Sequence, residues 1–555
     1  MHAKGHDTIA DEVIRRYQKA DSFRGNWEGQ WEEIAQRILP NYAKTFLQPG
    51  TRAQGGSKTD EMVDATGALA LTRFAAAMES MLTPRASTWH HLKPSDRRLL
   101  KDRATRLWFE HLNDQLFTYR YAPKANFASQ KHEDYMALGA FGTSCMFIDA
   151  LQGPQARGLR YKAIHLGEIY FLENHQGIID TALRRFSLTA RQAVQQFSTH
   201  GDALPDAIRN DAKTPSKEDT PCWFIHCVKP RSDDEGYDPE RKDLKGMEYT
   251  SYYVSETGTT TVQEGGFRTF PYAISRYVMA PGEIYGRSPA MLALPAIKVL
   301  NEQKRTVLKQ GHRTVDPVLL AHDDGVLDSV SLRPGALIPG GVSAEGRPLI
   351  HTLPTGNLAL AREMMDSERA VINDFFLVTL FQILVDTPQM TATEVLERAR
   401  EKGALLSPTM GRQQSESLGP MVEREIDVLQ QQGLIEPMPP ALREAQGEYK
   451  IEYDSPLSRM AKAEEAAGLF RTVDWVREYV AVTGDPTPLD WIDWDTALPE
   501  IMDIQAVPHR WRKSAESVQQ LRQGRKQVQQ TQQIIDAAPA AASVMKSGMD
   551  AARGM

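Results

Sequence analysis

Residues 283–313 read EIYGRSPAMLALPAIKVLNEQKRTVLKQGHR, and residues 358–384 read LALAREMMDSERAVINDFFLVTLFQIL. Between them lie DPVLLAHDDG and a run broken by Gly and Pro, and after them comes TPQMTATEV. Two long helix patterns thus bracket a short strand-like insert, a hairpin of rods with a small head. Ser288 suits a helix N-cap and Pro289 the first helical turn, so a helix should start there and run to about Arg313. Placed at 100° steps, Leu292, Ala296, Val299, Leu300 and Val307 fall on one face, and Lys298, Arg305, Lys309, His312 and Arg313 on the opposite one. The second rod is amphipathic in its first half. Its end, with Phe375, Phe376, Leu380 and Phe381, is apolar nearly all round and should be buried between subunits.

The first rod carries Lys298, Lys304, Arg305, Lys309 and Arg313 against Glu302. The second has Arg362 and Arg369 against Glu363, Asp366, Glu368 and Asp374. The rods could attract each other through these charges, within a subunit or across an interface, with modest and salt-sensitive energy. Alternatively the basic face, with Lys298, Arg305, Lys309 and Arg313, points at DNA phosphates.

Outward from this hairpin, helical spacing of Ile9, Val13, Ile14 and Tyr17, then of Trp27, Trp31, Ile34 and Ile38, predicts two helices stopped by Pro40. Further helices are expected over 61–82, 96–116 and 126–140. From Ser144 to Tyr277 the period changes: CMFIDAL, RYKAIHL, IYFLEN, CWFIHCV, EYTSYYVSE, TTTVQEG and FPYAISRYV read as strands. A short helix near 190–197 and a polar loop over 202–219 interrupt them. After the second rod, Thr391-Ala-Thr-Glu394 matches a capping box. That helix breaks or kinks near Gly403 and Pro408 and continues to about Gln432. A helix over 458–482, the acidic stretch DWIDWDTALPE and a Gln/Arg-rich helix over 509–535 follow; Leu521, Val528 and Ile535 repeat at heptad spacing in the last. The end, 536–555, is Ala/Gly/Met-rich and expected to be mobile. The fold class is α+β, predominantly helical.

At 555 residues the chain can bury a large core, and its net charge of −7 disfavours DNA coating by bulk positive charge. The three cysteines lack zinc or redox spacing, so buried thiols are expected. No secretory signal is read at MHAKGHDTIADEV, and FFLVTLFQILV is shorter than the about 20 residues that cross a bilayer. The protein should be soluble when made. GTRAQGGSKT, at 50–59, only superficially suggests a phosphate loop, and His132-Glu133 lacks the second histidine of a zinc-protease motif, Met136 standing there. Asp490, Asp493 and Asp495 could hold a metal, but the interleaved Trp491, Ile492 and Trp494 favour a loop anchored by aromatics. No catalytic residue, metal or cofactor is expected.

Several segments together resemble the head-to-tail connecting, or portal, proteins of short-tailed phages: WEEIAQRILP, LTRFAAAMESMLTPRASTWHHL, EIYGRSPAMLALPAIKVLN, DPVLLAHDDG, QMTATEVLERAREK and AVPHRWRKSAESVQQLR. They span nearly the full length in matching order. The resemblance implies a ring, usually of twelve subunits, at one capsid vertex in the virion, assembled in the host cytoplasm, with a central channel for packaging and ejecting double-stranded DNA. It implies a wing (1–285, and again 392–506), stem helices (286–314 and 357–384), a clip (315–356), a tunnel loop (385–391), a crown helix (507–535) and a tail (536–555). The tunnel loop would comprise Val385, Asp386, Thr387, Pro388, Gln389 and Met390. Implied partners are further copies of the chain, DNA without sequence preference, the large terminase subunit, the tail adaptor, major capsid and scaffolding proteins, and internal core proteins. A packaging ATPase or nuclease of terminase type and a ring-forming tail adaptor remain as alternatives.

Overall fold

The computed structural model describes residues 7–43, 45–46, 59–85, 87–96, 98–153, 157–197, 203–232, 235–241, 243–321, 333, 335–339, 341–354, 358–379, 408–445, 447–454, 456–484, 487–504, 511, 513, 517–525 and 527–528. The chain divides into two units: residues 1–89 with 116–435, and residues 90–115 with 436–555.

The first unit begins with α1 (Thr8–Ile38), one continuous helix where two were expected. Gly25 and Gly29 sit on its open side, with no side-chain neighbour that would force a break. Asp7 caps it, accepting from Ala10 N at 3.1 Å, while its other oxygen accepts from Thr261 N at 2.6 Å. Burial pushes the Asp7 carboxyl up, but these backbone donors outweigh it and hold it below the usual range. The chain continues through α2 (Thr66–Leu82), a helix shorter than the expected 61–82, and the last turn of α3 (Arg103–Arg120) to α4 (Phe127–Phe141).

Five antiparallel strands form the larger sheet, in the order β4 (Ile169–Glu173), β5 (Ile179–Thr189), β6 (Pro221–Pro230), β7 (Tyr249–Ser255), β8 (Thr260–Phe267). Period-two alternation splits its side chains between two cores. Leu183, Ile225, Cys227 and Val254 pack against Ala10, Val13 and Ala20 of α1. Cys222, Phe224 and Val262 pack with residues of α5 (Ala190–Gln196) and α6 (Asp206–Lys213). Helix α6 lies where a polar loop was expected, and β5, the longest strand, carries no strand signal because Arg184-Arg185 interrupts its apolar alternation. The two arginines are paired separately. Arg184 pairs with Glu168 at 3.1 Å, and Arg185 pairs with Glu256 at 2.6 Å and lies 4.1 Å from the Trp223 ring centroid. His226 is fully buried between Tyr272 Oη at 2.8 Å and Ser251 Oγ at 2.9 Å, and burial lowers its imidazole to about 3.

A second antiparallel sheet, β3 (Leu159–Ile164), β2 (Thr143–Ala150), β9 (Tyr272–Arg276), is packed by α4 and by α9 (Gly419–Gln431). A π-helical turn, Gln414–Leu418, precedes α9 and aims Glu416 at Arg276 and Ser417 at Lys131. The buried thiols Cys145, Cys222 and Cys227 are free, and burial raises all three.

Deepest in this unit is a buried pair: Arg120 Nε and Nη2 donate to Glu425 at 3.0 and 2.5 Å, and both side chains are 0% exposed. Tyr161 Oη donates to the same carboxylate at 2.5 Å, and the guanidinium lies 4.6 Å from the Trp89 ring centroid. Burial alone would lower the Arg120 guanidinium, but Glu425 outweighs it and keeps the group charged.

In the second unit β1 (His90–Pro94) pairs antiparallel with β12 (Tyr449–Tyr453). Most of α3 belongs here, beginning at Arg103 rather than near Asp96, and Asn113 Oδ1 accepts from Leu92 N at 3.1 Å. Helices α10 (Pro440–Glu444), α11 (Pro456–Thr483) and α12 (Trp494–Ile504) complete it. The expected aromatic-anchored loop is instead a helix start: Trp491 is 92% exposed, so it anchors nothing among the described residues. Asp493 accepts from Asp495 N, and Asp495 pairs with Arg522 at 2.7 and 2.8 Å.

Candidate functional site

The first rod is α7 (Pro289–Val315), whose start follows from Ser288-Pro289: Ser288 Oγ accepts from Met291 N at 3.0 Å. Ser288 Oγ also donates to Ala140 O at 2.8 Å, fixing the base of α7 to the end of α4. Beside it Gly286 N donates to Thr143 Oγ1 at 2.8 Å and Tyr277 N donates to Gly142 O at 2.9 Å. Gly142, at φ +77°, and Gly286 touch backbone to backbone. A Cβ on either would collide with the other's carbonyl oxygen.

Beyond α7, β10 (Leu319–Ala321) pairs antiparallel with β11 (Ile350–Thr352), and the chain returns in α8 (Leu358–Phe375), packed along α7. Helix α8 ends at Phe375, short of the expected Leu384, because Leu377 turns into the left-handed region at φ 57°.

The apolar face expected on α7 is divided. Ala293, Leu294, Ile297 and Leu300 are buried, while Leu292 and Val299 are 62% and 46% exposed. On α8, Met365 and Ile372 point inward, whereas Leu360, Met364, Val371 and Phe375, one stripe at helical spacing, are 38–55% exposed. Phe376, expected at the subunit interface, is fully buried within its own chain, its ring edge-on to Phe74 at 6.4 Å. Phe375, the other described member of that group, is 38% exposed. Leu380 and Phe381 lie outside the described residues, as do the tunnel-loop candidates Val385, Asp386, Thr387, Pro388, Gln389 and Met390, the Thr391 capping box and most of the glycine-rich run at 50–59.

The basic face divides as well. Lys298 pairs with Glu33 of α1 at 2.5 Å, and Arg305 pairs with Glu302 at 2.6 Å and Glu61 at 3.4 Å. Lys309 and Arg313 are exposed and have no ion-pair partner among the described residues. Among the described residues of one chain the rods do not pair by direct opposite charge. Their cations converge instead on Asp64, ahead of α2: Lys304 Nζ at 3.1 Å and Arg369 Nη2 at 3.0 Å reach one carboxylate oxygen, and Thr66 N reaches the other at 2.9 Å. Asn301 Oδ1 fixes the same segment by accepting from Val63 N at 3.0 Å and Asp64 N at 2.8 Å. Asp64 was not singled out from sequence; its signal was the Asp-Ala-Thr spacing of a helix cap, together with a polar Asn301 on an otherwise apolar face.

Burial alone would raise the Asp64 carboxyl, but Thr66, Arg369 and Lys304 outweigh it and hold it well below its ordinary value. A depressed folded-state pKa contributes stability that is fully present above the unfolded value and lost as pH falls through the folded one. Asp64→Ala is expected to destabilise the subunit by about 2 kcal/mol, discounted because both cations are one-third exposed. Denaturation monitored from pH 7 to pH 2 checks it: the gap between variant and parent should narrow as pH falls below the ordinary carboxylate range. A gap independent of pH would show that the carboxylate charge is not what pins the rods.

His132 Nδ1 lies 3.1 Å from Glu79 of α2, a surface pairing between helices. No group of three or more His, Cys, Asp or Glu is arranged to hold a metal ion among the described residues, and no described helix is long and apolar enough to cross a membrane.

The family described as "Bacteriophage head to tail connecting protein" matches residues 10–512. The chain is similar to the "Probable portal protein" of Bordetella phage BPP-1, 29% identical over 502 residues that cover 87% of this chain and 85% of that protein. It is also similar to the "Portal protein" of Salmonella phage epsilon15, 25% identical over 548 residues that cover 98% and 95% of the two chains.

Proposed function

The chain belongs to the bacteriophage head-to-tail connecting protein family, and from that premise we propose that it is a portal protein, a non-enzymatic ring at one vertex of the virion through which double-stranded DNA enters and leaves. The observation that carries this reading is the end-to-end similarity to portal proteins of two phages. The hairpin supplies its physics. Cyclic symmetry lets the exposed stripe of one subunit meet a complementary surface on the next and closes the assembly. In this reading twelve copies stand around the bore, α7 and α8 are the stem, and β10 and β11 belong to a clip that docks the terminase motor and then the tail adaptor. The larger sheet and the segment 392–506 lie in a wing facing capsid and scaffolding proteins, the segment 507–535 in a crown near the internal core proteins, and assembly takes place in the host cytoplasm. A net charge of −7 with local basic bands suits passage, because a strongly basic lining repeated around DNA would grip its phosphates.

Electron microscopy of the purified particle tests the reading: a ring with a through-channel is expected, and a solid plug or fibre would replace it with a tail-adaptor role. ATP hydrolysis by the pure protein would revive a packaging enzyme. At residue level, Phe375→Asp is expected to shift rings to smaller species in light scattering while leaving the subunit folded. Phe376→Asp should instead unfold it, since it places a charge in the core. Intact Phe375→Asp rings would remove this stripe from the interface.

A further inference from the structure

A small cavity opens where α4 meets β2 and β3, lined by Tyr42, Asp134, Phe141, Ser144 and His165 among others. Its free volume is about 20 Å³. Asp134 and Ser144 are each 1% exposed, and Asp134 Oδ1 and Ser144 Oγ find no hydrogen-bond partner among the described residues. The other carboxylate oxygen, Oδ2, accepts from Lys131 Nζ at 2.8 Å, and that ammonium also donates to Ser417 Oγ at 3.2 Å.

We propose that this cavity is a binding site for one structural water molecule, donating to Asp134 Oδ1 and exchanging a hydrogen bond with Ser144 Oγ. Three observations select water. The space matches one molecule, since about 10–15 Å³ of such volume suffices. Two buried polar atoms line it, whereas cavities that stay dry are apolar. Lys131 already balances the charge of Asp134, so its orphaned oxygen calls for a hydrogen-bond donor and not for a second counter-ion. With the water in place, the buried carboxylate uses both oxygens, and the joint between α4 and the smaller sheet has no orphaned acceptor.

The sign of a stability change tests this. Ser144→Val fills the cavity, expels the water and strands Asp134 Oδ1, so the melting temperature of the full-length protein should fall by about 2–4 °C. Ser144→Ala, which leaves the water its carboxylate partner, should fall less. A rise for Ser144→Val would mean that a dry void had been filled, and overturns the proposal. If Ser144→Val does not fold, a map of the unsubstituted protein at a resolution showing ordered solvent decides. One peak within about 3.2 Å of both atoms supports the site. An empty cavity, or a peak that gains density when sodium is exchanged for rubidium, overturns it.

Discussion

Glu425→Ala is expected to cost the subunit about 3–5 kcal/mol, because it removes one member of a buried ion pair and leaves the other charge unbalanced. Arg120 is fully buried among Trp89, Phe117 and Phe127, and its Nη1 has no hydrogen-bond partner among the described residues, so no spare acceptor is at hand there. Tyr161 would lose its acceptor in the same step. Chemical denaturation of the soluble protein measures the loss, and a fall in soluble yield should accompany it. The informative companion is the double variant Arg120→Met with Glu425→Leu, which removes both charges and should recover most of the stability. If Glu425→Ala alone melts with the parent, the guanidinium is reaching solvent that the static structure does not show.

The second large effect is expected on DNA. Lys309→Glu with Arg313→Glu reverses the part of the α7 basic face that no described acid neutralises, repeated once per subunit around the assembly. Packaged DNA should fall by about tenfold or more, because each lost phosphate contact is multiplied by the copy number. Ring formation should persist, since neither side chain is buried. Lys298→Ala provides the contrast: that lysine is paired with Glu33, and its loss should leave packaging near the parental level. Nuclease-protected DNA per particle is the readout. Normal packaging by the reversed variant would move the DNA path away from this end of α7.

Much of the first rod was legible because its signals are local. Ser288 and Pro289 specify a helix start whatever surrounds them, and the spacing of Leu292, Ala296, Val299 and Leu300 specifies helical period. Which apolar residues face inward is not local information: Leu300 is buried and Val299 exposed according to where α1, α2 and α4 come to rest. Strand β5 was illegible for a related reason. Arg184 and Arg185 look like loop residues until Glu168 and Glu256 arrive from sequence positions far removed. Asp64 illustrates the same limit at the candidate site, since its importance lies in two cations more than 200 residues downstream that meet only in the folded chain.

The paired glycines at the foot of α7 set how the assembly bears load. With no side chains between them, Gly142 and Gly286 let short hydrogen bonds from Tyr277, Gly286 and Ser288 lie side by side across one seam. A pull on the foot of α7 would load these neighbouring links together, and they would share the force. Tension from a moving polymer would then pass into the body of the subunit, and the helix pair would behave as a rigid strut.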